Sequence, residues 1–196
     1  MGRKIPKILN DEEIEKVLNY WNTRYFSQYR NKVMMKFILN TGLRISEVIN
    51  LKWDHINLTS GKINVIQGKG SKDRIVWANM ELIEFLELYR NKQEEVLVGK
   101  GFSALDISHV FTSFSNRKLS PGNIRKSFYN CSLKSIGRKV SPHQYRHTYA
   151  TKLLRETTNL RVVQKALGHS NISTTQIYTH IVDEEMENTL KNFKIE

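Results

Sequence analysis

The chain has 196 residues, which suffices for one well-buried domain with at most a short appendage. Hydrophobic residues make up 39% of it, and no run approaches the ~18 apolar residues of a membrane span, so no membrane partner is expected. Lys and Arg (31) outnumber Asp and Glu (19), and the net charge of +12 predicts a polyanionic partner, nucleic acid in particular. A basic surface that serves solubility alone is the competing interpretation.

The single cysteine, Cys131, permits no intrachain disulfide, and the first residues lack the apolar core of a signal peptide, so a cytoplasmic location is expected.

The first predicted elements are an extended leader and three helices. Residues 1–9 form the leader, and Asn10 with Glu13 fits a capping box that starts the first helix. Gly42 suits the left-handed residue that ends the second helix. The second and third helices are predicted near residues 31–40 and 46–50.

Alternating apolar residues over 56–78 predict a small antiparallel β-meander whose second turn is rich in Gly and Lys. A helix over 80–90 follows, then a loop over 91–108, where the periodicity is weak, and a brief strand over 109–111. The C-terminal half is predicted to be helical, and Ser-Pro pairs mark two of its helix starts. Its helices are expected near 121–135, 142–155, 159–167 and 172–180, with a helical tail over 183–196. The fold class is therefore α+β, mostly helical with a small antiparallel β-meander.

Three side chains on the second of the Ser-Pro helices could carry chemistry. His143, Arg146 and His147 occupy positions i, i+3 and i+4, so they share a face in the first two turns, where backbone N–H groups favour an anion. Arg146 can bind two phosphate oxygens, and His143 can exchange a proton near neutral pH. A polar surface stripe is the alternative. A zinc site is disfavoured, because Arg146 would repel the cation and no His-Glu-x-x-His motif is present.

Two more candidates precede this helix. Arg44 lies at a helix junction, and Glu47 can orient its guanidinium, although an ordinary surface ion pair has the same pattern. Lys69 lies between two glycines in the predicted hairpin turn, where glycines let a backbone approach a ligand; a charged exposed turn is the alternative.

The last two candidate residues lie C-terminal to the helix that carries Arg146. His169 begins a loop directly after a helix end at Leu167-Gly168, and Tyr178 lies nine positions later on the next predicted helix. A packed tyrosine is the commoner case, and a phenol with a pKa of roughly 10 needs cationic neighbours in order to ionise.

Four sequence blocks together resemble the catalytic domain of the tyrosine recombinases, the phage integrase family. The blocks are Thr-Gly-Leu-Arg-Ile-Ser-Glu-Val (41–48), Gly-Lys-Gly-Ser-Lys-Asp-Arg (68–74), Ser-Pro-His-Gln-Tyr-Arg-His-Thr (141–148) and Leu-Gly-His (167–169) with Tyr178. The family's catalytic positions fall on Arg44, Lys69, His143, Arg146, His169 and Tyr178, at spacings of 25, 74, 3, 23 and 9. The resemblance covers about residues 8–183 and implies an integrase-type catalytic domain.

The resemblance also implies a mechanism. Tyr178 attacks a DNA phosphodiester and forms a 3′-phosphotyrosine, while Arg44 and Arg146 bind the non-bridging oxygens and His169 donates to the same phosphate. His143 accepts the tyrosine proton, and Lys69 protonates the leaving 5′-oxygen. Glu47 and His147 support this set. Neither a metal, ATP nor another cofactor is needed, since side chains supply the positive charge and the intermediate is covalent.

The resemblance further implies partners and an organisation. Double-stranded DNA, self-association into a tetrameric synapse and accessory DNA-bending proteins are expected, in the setting of a mobile genetic element. Most family members carry an N-terminal core-binding domain, so this chain is expected to be either a single-domain recombinase or a catalytic-domain fragment. Its expected parts are a leader at 1–9, the catalytic domain at 10–182 and a helical tail at 183–196 that is a candidate for exchange between subunits. Relaxation of DNA by a type IB topoisomerase and non-enzymatic DNA binding by a regulator are the alternative functions.

Overall fold

The computed structural model describes residues 7–66 and 73–168 together with Tyr178 and Lys191. Its helices and strands are α1 (Asp11–Asn19), α2 (Phe26–Thr41), α3 (Ile45–Asn50), β1 (Lys62–Val65), β2 (Arg74–Trp77), α4 (Met80–Val98), α5 (Pro121–Ile136), α6 (Pro142–Thr157) and α7 (Leu160–Leu167). Short 3-10 turns occur at Trp53–His55 and Ala104–Asp106. Most of the predicted turn at 68–73, most of the helix at 172–180 and nearly all of the tail at 183–196 lie outside the described residues, as do Lys69 and His169.

Local sequence signals fix several helix ends. The Asn10 side chain accepts from the Glu13 N–H at 2.8 Å and the Glu13 carboxylate accepts from the Asn10 N–H at 3.2 Å, which confirms the capping box. Ser141 caps α6 in the same reciprocal way with Gln144. Gly42 ends α2 with a φ of +63°, the left-handed conformation that the sequence predicts.

The small antiparallel sheet is confirmed. β1 and β2 pair with Lys62 opposite Trp77 and Val65 opposite Arg74. The first predicted strand of the meander is reduced to a single bridge between Ile56 and Ile63. The strand predicted over 109–111 is likewise not formed: His109 makes one isolated bridge to Lys52.

Two predicted helix lengths were wrong. α2 begins at Phe26 rather than near residue 31, because the buried Phe26 ring stacks on Tyr89 at 6.0 Å and extends the apolar side of the helix toward its start. α4 continues to Val98, through the first part of the predicted loop at 91–108. The reason is that Gln93 and Leu97 are fully buried, so this polar stretch still has an inward face.

Gln93 explains how a polar residue can hold a helix to the core. Its side-chain oxygen accepts from the Trp53 indole N–H at 3.0 Å, and its nitrogen donates to the His109 carbonyl at 3.1 Å and to the Thr112 hydroxyl at 3.0 Å. Every polar atom of the buried amide therefore has a partner, which removes the cost of burying it. Because Gln93 is polar, the spacing of hydrophobic residues does not identify it as part of the core.

α2 lies at the centre of the domain and packs against α4, α5 and α6. One large cluster of buried apolar side chains extends from Leu9 to Tyr145. A smaller cluster lies between α6 and α7 and consists of Ala150, Leu154, Val163, Leu167 and Tyr178. The end of α2 therefore meets α6 and α7 where the two clusters adjoin. In the part of the chain that the structure describes, no helix has the length and apolarity of a membrane span.

Replacing Gln93 by Leu is expected to lower the free energy of unfolding by about 3 kcal/mol or more, because three buried polar groups, of Trp53, His109 and Thr112, lose their partner and each such group costs about 1–3 kcal/mol. Urea denaturation measures the change. Glu94→Leu, at the exposed neighbouring position of α4, is the matched control and should stay within about 0.5 kcal/mol of the unmodified chain. Equal unfolding midpoints for the two variants would contradict the role of Gln93.

Candidate active site

The candidate site is organised around the carboxylate of Glu47, in the first turn of α3. Arg44 is the N-cap residue of this helix, and its backbone N–H donates to Glu47 Oε2 at 2.7 Å, while its Nη1 donates to Oε1 at 3.1 Å. Arg74, the first residue of β2, donates from Nη1 to Oε1 at 2.8 Å and from Nη2 to Oε2 at 2.9 Å. Arg146 Nη1 lies 3.9 Å from Oε2. A single buried carboxylate thus gathers three arginines from three elements.

The charges around Glu47 keep it ionised. Burial raises the pKa of its carboxyl, but hydrogen bonds from Arg74 and from the Arg44 N–H, together with the positive charges of Arg74 and Arg146, lower it further than burial raises it. The net pKa therefore lies below its ordinary value. The site carries a fixed negative charge at neutral pH, and this charge offsets part of the repulsion among the arginines.

Arg146 is held by backbone carbonyls at two helix ends. Its Nη1 donates to the Gly42 carbonyl at 2.6 Å and its Nη2 to the Leu167 carbonyl at 2.8 Å, so the guanidinium bridges the ends of α2 and α7. Burial and the charge of Arg44 lower its pKa to about 10, against the opposing effect of Glu47. The guanidinium is still a cation at pH 7, in a fixed orientation.

The three arginines differ in exposure. The Arg44 side chain is 37% exposed, whereas those of Arg74 and Arg146 are 9% and 7% exposed. Arg44 is therefore the guanidinium with the most open access for a ligand from solution. Arg74 and Arg146 form the buried base of the same cationic cluster.

Tyr178 contacts α6 at His147, the residue that follows Arg146. Its hydroxyl is 2.5 Å from Nδ1 of His147, and the tyrosine is only 2% exposed, within the small apolar cluster between α6 and α7. Burial raises the pKa of Tyr178 to about 12, although the charge of Arg146 acts to lower it. The hydroxyl is consequently protonated at neutral pH.

The two histidines of α6 lie in different surroundings. Burial, followed by the charges of His143 and Arg146, lowers the pKa of the half-buried His147 below 6.5, so its neutral ring can accept a hydrogen bond from Tyr178. His143 is exposed on the same helix, and its pKa is lowered by partial loss of solvent and by the charges of Arg146, Arg125 and Arg44. The sequence predicts His143 as the acceptor of the tyrosine proton, whereas the contact in the structure is made by His147.

The predicted residues Arg44, Glu47, His143, Arg146, His147 and Tyr178 are brought to one region, while Lys69 and His169 lie outside the described residues. Arg74 was not predicted as part of the site. The sequence does not single it out, because the apolar Ile75 and Trp77 alternate with Arg74 and Val76; only the burial of Val76 shows that Arg74 lies on the inward face of β2, where it requires a partner. Among the described residues, no group of three or more His, Cys, Asp or Glu is placed to hold a metal ion.

A comparison with protein families decides the affiliation. The family described as "Phage integrase family" matches residues 7–185 of the chain. The chain belongs to the phage integrase family. This confirms the family resemblance of the four sequence blocks, and the roles of the six catalytic positions stay predictions.

Individual relatives of this integrase-family chain are recombinases by name. It is 33% identical over 192 residues to "Tyrosine recombinase XerD" of Staphylococcus haemolyticus (strain JCSC1435), a match that covers 97% of this chain and 63% of that protein. The same protein of Staphylococcus aureus (strain Mu50 / ATCC 700699) is 34% identical with the same coverage. The chain therefore spans less than two thirds of the length of these curated relatives.

Solved structures agree with this grouping. The XerA recombinase superimposes with a TM-score of 0.79 at 29% identity, covering 99% of this chain and 68% of that one. XerH site-specific recombinase, in a post-cleavage complex with its palindromic difH substrate, gives a TM-score of 0.76 at 29% identity, with 96% and 54% covered. The mostly helical integrase-type catalytic fold is thus confirmed.

Gly42→Ala is expected to destabilise this integrase domain more than Gly137→Ala. Both glycines follow a 16-residue helix in the left-handed conformation, which costs an alanine about 1–2 kcal/mol. A methyl group at Gly42 would also collide with the ring of Tyr149 and lie 3.1 Å from Leu167, whereas one at Gly137 would meet nothing within 4 Å. Overpacking adds about 1–3 kcal/mol at Gly42 alone.

Chemical denaturation of the two variants measures the difference. The Gly42 carbonyl accepts a hydrogen bond from Arg146, so the larger loss of stability in Gly42→Ala should be accompanied by a displacement of the Arg146 guanidinium. Equal losses in the free energy of unfolding for the two variants would show that the end of α2 can accommodate the added methyl group.

Proposed function

We propose that this chain is the catalytic part of a site-specific recombinase that breaks and rejoins DNA strands through a 3′-phosphotyrosine. One observation carries the proposal: the Tyr178 hydroxyl is hydrogen-bonded to the His147 ring, next to a cluster of three arginines around one carboxylate. The three arginines are Arg44, Arg74 and Arg146. A nucleophilic hydroxyl beside fixed cations suits attack on a phosphodiester, because the cations stabilise the charge that develops on the phosphoryl oxygens.

The proposed role of the arginines is to bind the scissile phosphate. Arg44 is the exposed guanidinium and makes the first contact, and Arg146 stabilises the same phosphate from the buried side of the cluster. From the resemblance to the family, Lys69 and His169 are proposed to complete the set, Lys69 as the acid for the leaving oxygen and His169 as a hydrogen-bond donor.

The proposed reaction conserves the phosphodiester energy. The Tyr178 oxygen forms a bond to phosphorus as the bond to the 5′-oxygen breaks; the phenol proton passes to a histidine, and the leaving 5′-oxygen receives a proton from Lys69. A 5′-hydroxyl from another strand then attacks the phosphotyrosine and releases Tyr178. Side chains supply every charge and proton in this scheme.

The buried hydroxyl of Tyr178 implies two arrangements of the site. At 2% exposure it is out of reach of a DNA backbone, so we propose that the contact with His147 is a resting arrangement that opens when DNA binds. His143, exposed beside Arg44 and Arg146 and uncharged at neutral pH, is then proposed to accept the proton at the phosphate. His147 keeps the hydroxyl in place before that step.

The proposed partners are double-stranded DNA, further copies of this chain in a tetrameric synapse, and accessory proteins that bend the DNA. The net charge of +12 supports the first, because each neutralised phosphate releases counterions and favours binding. XerH, a structural relative, was solved bound to its difH substrate. A cytoplasmic location is also proposed, because the named relatives come from Staphylococcus, where the DNA lies in the cytoplasm.

Tyr178→Phe is expected to abolish the covalent adduct while leaving the fold and DNA binding intact, because it removes one oxygen and keeps the ring in its apolar cluster. The assay uses nicked duplexes tiled across the DNA that flanks the coding sequence; the short 5′ fragment diffuses away after cleavage and strands the phosphotyrosine. The unmodified chain should give a band that resists SDS and disappears with protease. A chelator should leave this band unchanged.

Tyr149→Phe is the matched control, since Tyr149 is a tyrosine of α6 that packs against the same small cluster as Tyr178. It should keep the adduct. An adduct in the Tyr178→Phe variant, or one that maps to Tyr149 in the unmodified chain, would refute the assignment of the nucleophile.

The pH dependence should report the histidines. Both His143 and His147 have a pKa below 6.5, and the neutral form is the proton acceptor, so the single-turnover rate of adduct formation should be flat above pH 7 and fall as the pH drops below 6.5. His143→Ala should slow the reaction by about 10²–10⁴-fold. His147→Ala removes one hydrogen bond and should change the rate by at most about tenfold. A larger loss in His147→Ala than in His143→Ala would move the role of base to His147.

A further inference from the structure

We propose that Arg74 is a positioning residue for the cleavage reaction, an inference that rests on the function proposed above. Its bidentate ion pair with Glu47 occupies both oxygens of the carboxylate, and this prevents Glu47 from drawing Arg44 and Arg146 away from the substrate phosphate. Arg74 itself is buried and is proposed to touch neither the DNA nor the reacting atoms.

The hydrogen bonds of Glu47 support this role. Oε1 accepts from Arg44 Nη1 and Arg74 Nη1, and Oε2 accepts from the Arg44 N–H and Arg74 Nη2. A carboxylate offers about four lone-pair sites, for which the neighbouring guanidinium groups compete. Arg74 takes two of them in the parallel fork geometry that is the strongest for this pair. Arg44 keeps a single side-chain bond, and Arg146 stays at 3.9 Å from Oε2.

Arg74 is also fixed at its other edge. Its Nε donates to the Ala166 carbonyl at 3.3 Å, near the end of α7, and its side chain packs so closely on Gly168 that a methyl group there would lie 2.6 Å from Arg74 Cδ. One guanidinium therefore joins β2, α3 and the end of α7. The position of Glu47 relative to these elements depends on it.

Removing Arg74 should misplace the other arginines. The carboxylate would stay buried and ionisable, with two lone-pair sites vacated and two guanidinium groups at 3.1 and 3.9 Å. Because the carboxylate would lose its bidentate partner, its charge would attract Arg44 or Arg146 more strongly and turn one of them toward Glu47. A displacement of about 1 Å at such a site costs on the order of 10²-fold in rate.

The chain contains a matched control for this pair. Arg138 donates from Nε and Nη2 to the two oxygens of Glu13 at 2.8 and 2.7 Å, and the Glu13 carboxylate accepts from the N-cap N–H of α1 as Glu47 does from that of α3. Arg138→Met thus removes the same kind of bidentate pair from the same kind of helix start, at a place where no residue of the candidate site takes part.

The experiment compares Arg74→Met, Arg74→Lys, Glu47→Gln/Arg74→Met and Arg138→Met. The rate of adduct formation in a single turnover is measured at saturating concentration of the nicked duplex that the unmodified chain captures best, and the dissociation constant for that duplex is measured separately. Arg74→Met should react about 10–100-fold more slowly with a dissociation constant within about threefold. Arg74→Lys keeps the positive charge but loses the bidentate geometry, so its rate should lie between those of the unmodified chain and Arg74→Met. It replaces Arg74→Met in the comparison if that variant does not fold.

The double variant is the decisive arm. Glu47→Gln removes the competing charge while keeping the side-chain shape, so Glu47→Gln/Arg74→Met should react faster than Arg74→Met alone. Arg138→Met should react like the unmodified chain even if its melting temperature falls. Normal rates in both Arg74 variants, equal slowing in Arg138→Met, or a double variant no faster than Arg74→Met would each overturn the proposal.

A second readout separates this inference from the proposed function. If the unmodified chain forms no adduct, the recombinase proposal fails, and the positioning claim is decided by NMR of the arginine Nε–Hε groups in the DNA-free chain. The signals of Arg44 and Arg146 should shift in Arg74→Met and return toward their original positions in the double variant, while Arg138→Met leaves them unchanged. Unshifted signals in Arg74→Met would overturn the inference on their own.

Discussion

One buried negative charge makes the candidate site possible. Three guanidinium groups repel one another, and without Glu47 their close approach at low exposure would be strongly unfavourable. The carboxylate in turn is tolerated at 9% exposure only because those arginines surround it. Neither side of this arrangement is stable alone, so α3, β2 and α6 are held in register by the requirement that their charges meet.

The site also depends on how two apolar clusters adjoin. Tyr178 belongs to the small cluster between α6 and α7, whereas the helix that supplies the Gly42 carbonyl belongs to the large one. Arg146 donates across the boundary, to Gly42 on one side and to Leu167 on the other. Its position therefore reports the packing of both clusters, and a change in either of them is transmitted to the guanidinium.

Sequence reasoning predicted the parts of this molecule that local chemistry determines. The capping box at Asn10 and the left-handed end at Gly42 depend on neighbouring residues only. The residues of the motif blocks that the structure describes lie in one region, and their catalytic roles stay predictions. It missed the end of α4 and the role of Arg74, because a buried Gln93 and an inward-facing arginine are satisfied by partners far away in sequence. In β2 the apolar Ile75 and Trp77 are the exposed residues, so the alternation of apolar side chains does not mark the inward face. The exchange of a proton with His143 and the roles of Lys69 and His169 stay predictions.

The burial of Tyr178 has a consequence for fidelity. A strongly basic protein meets arbitrary stretches of a chromosome far more often than its target, and each meeting is an opportunity for an unwanted cut. With its oxygen enclosed and hydrogen-bonded to His147, the proposed nucleophile is withheld during those encounters. Under the proposed mechanism, damage to the host genome would be limited by the free energy needed to release one side chain, and only a site that provides this energy through its own contacts would be cleaved.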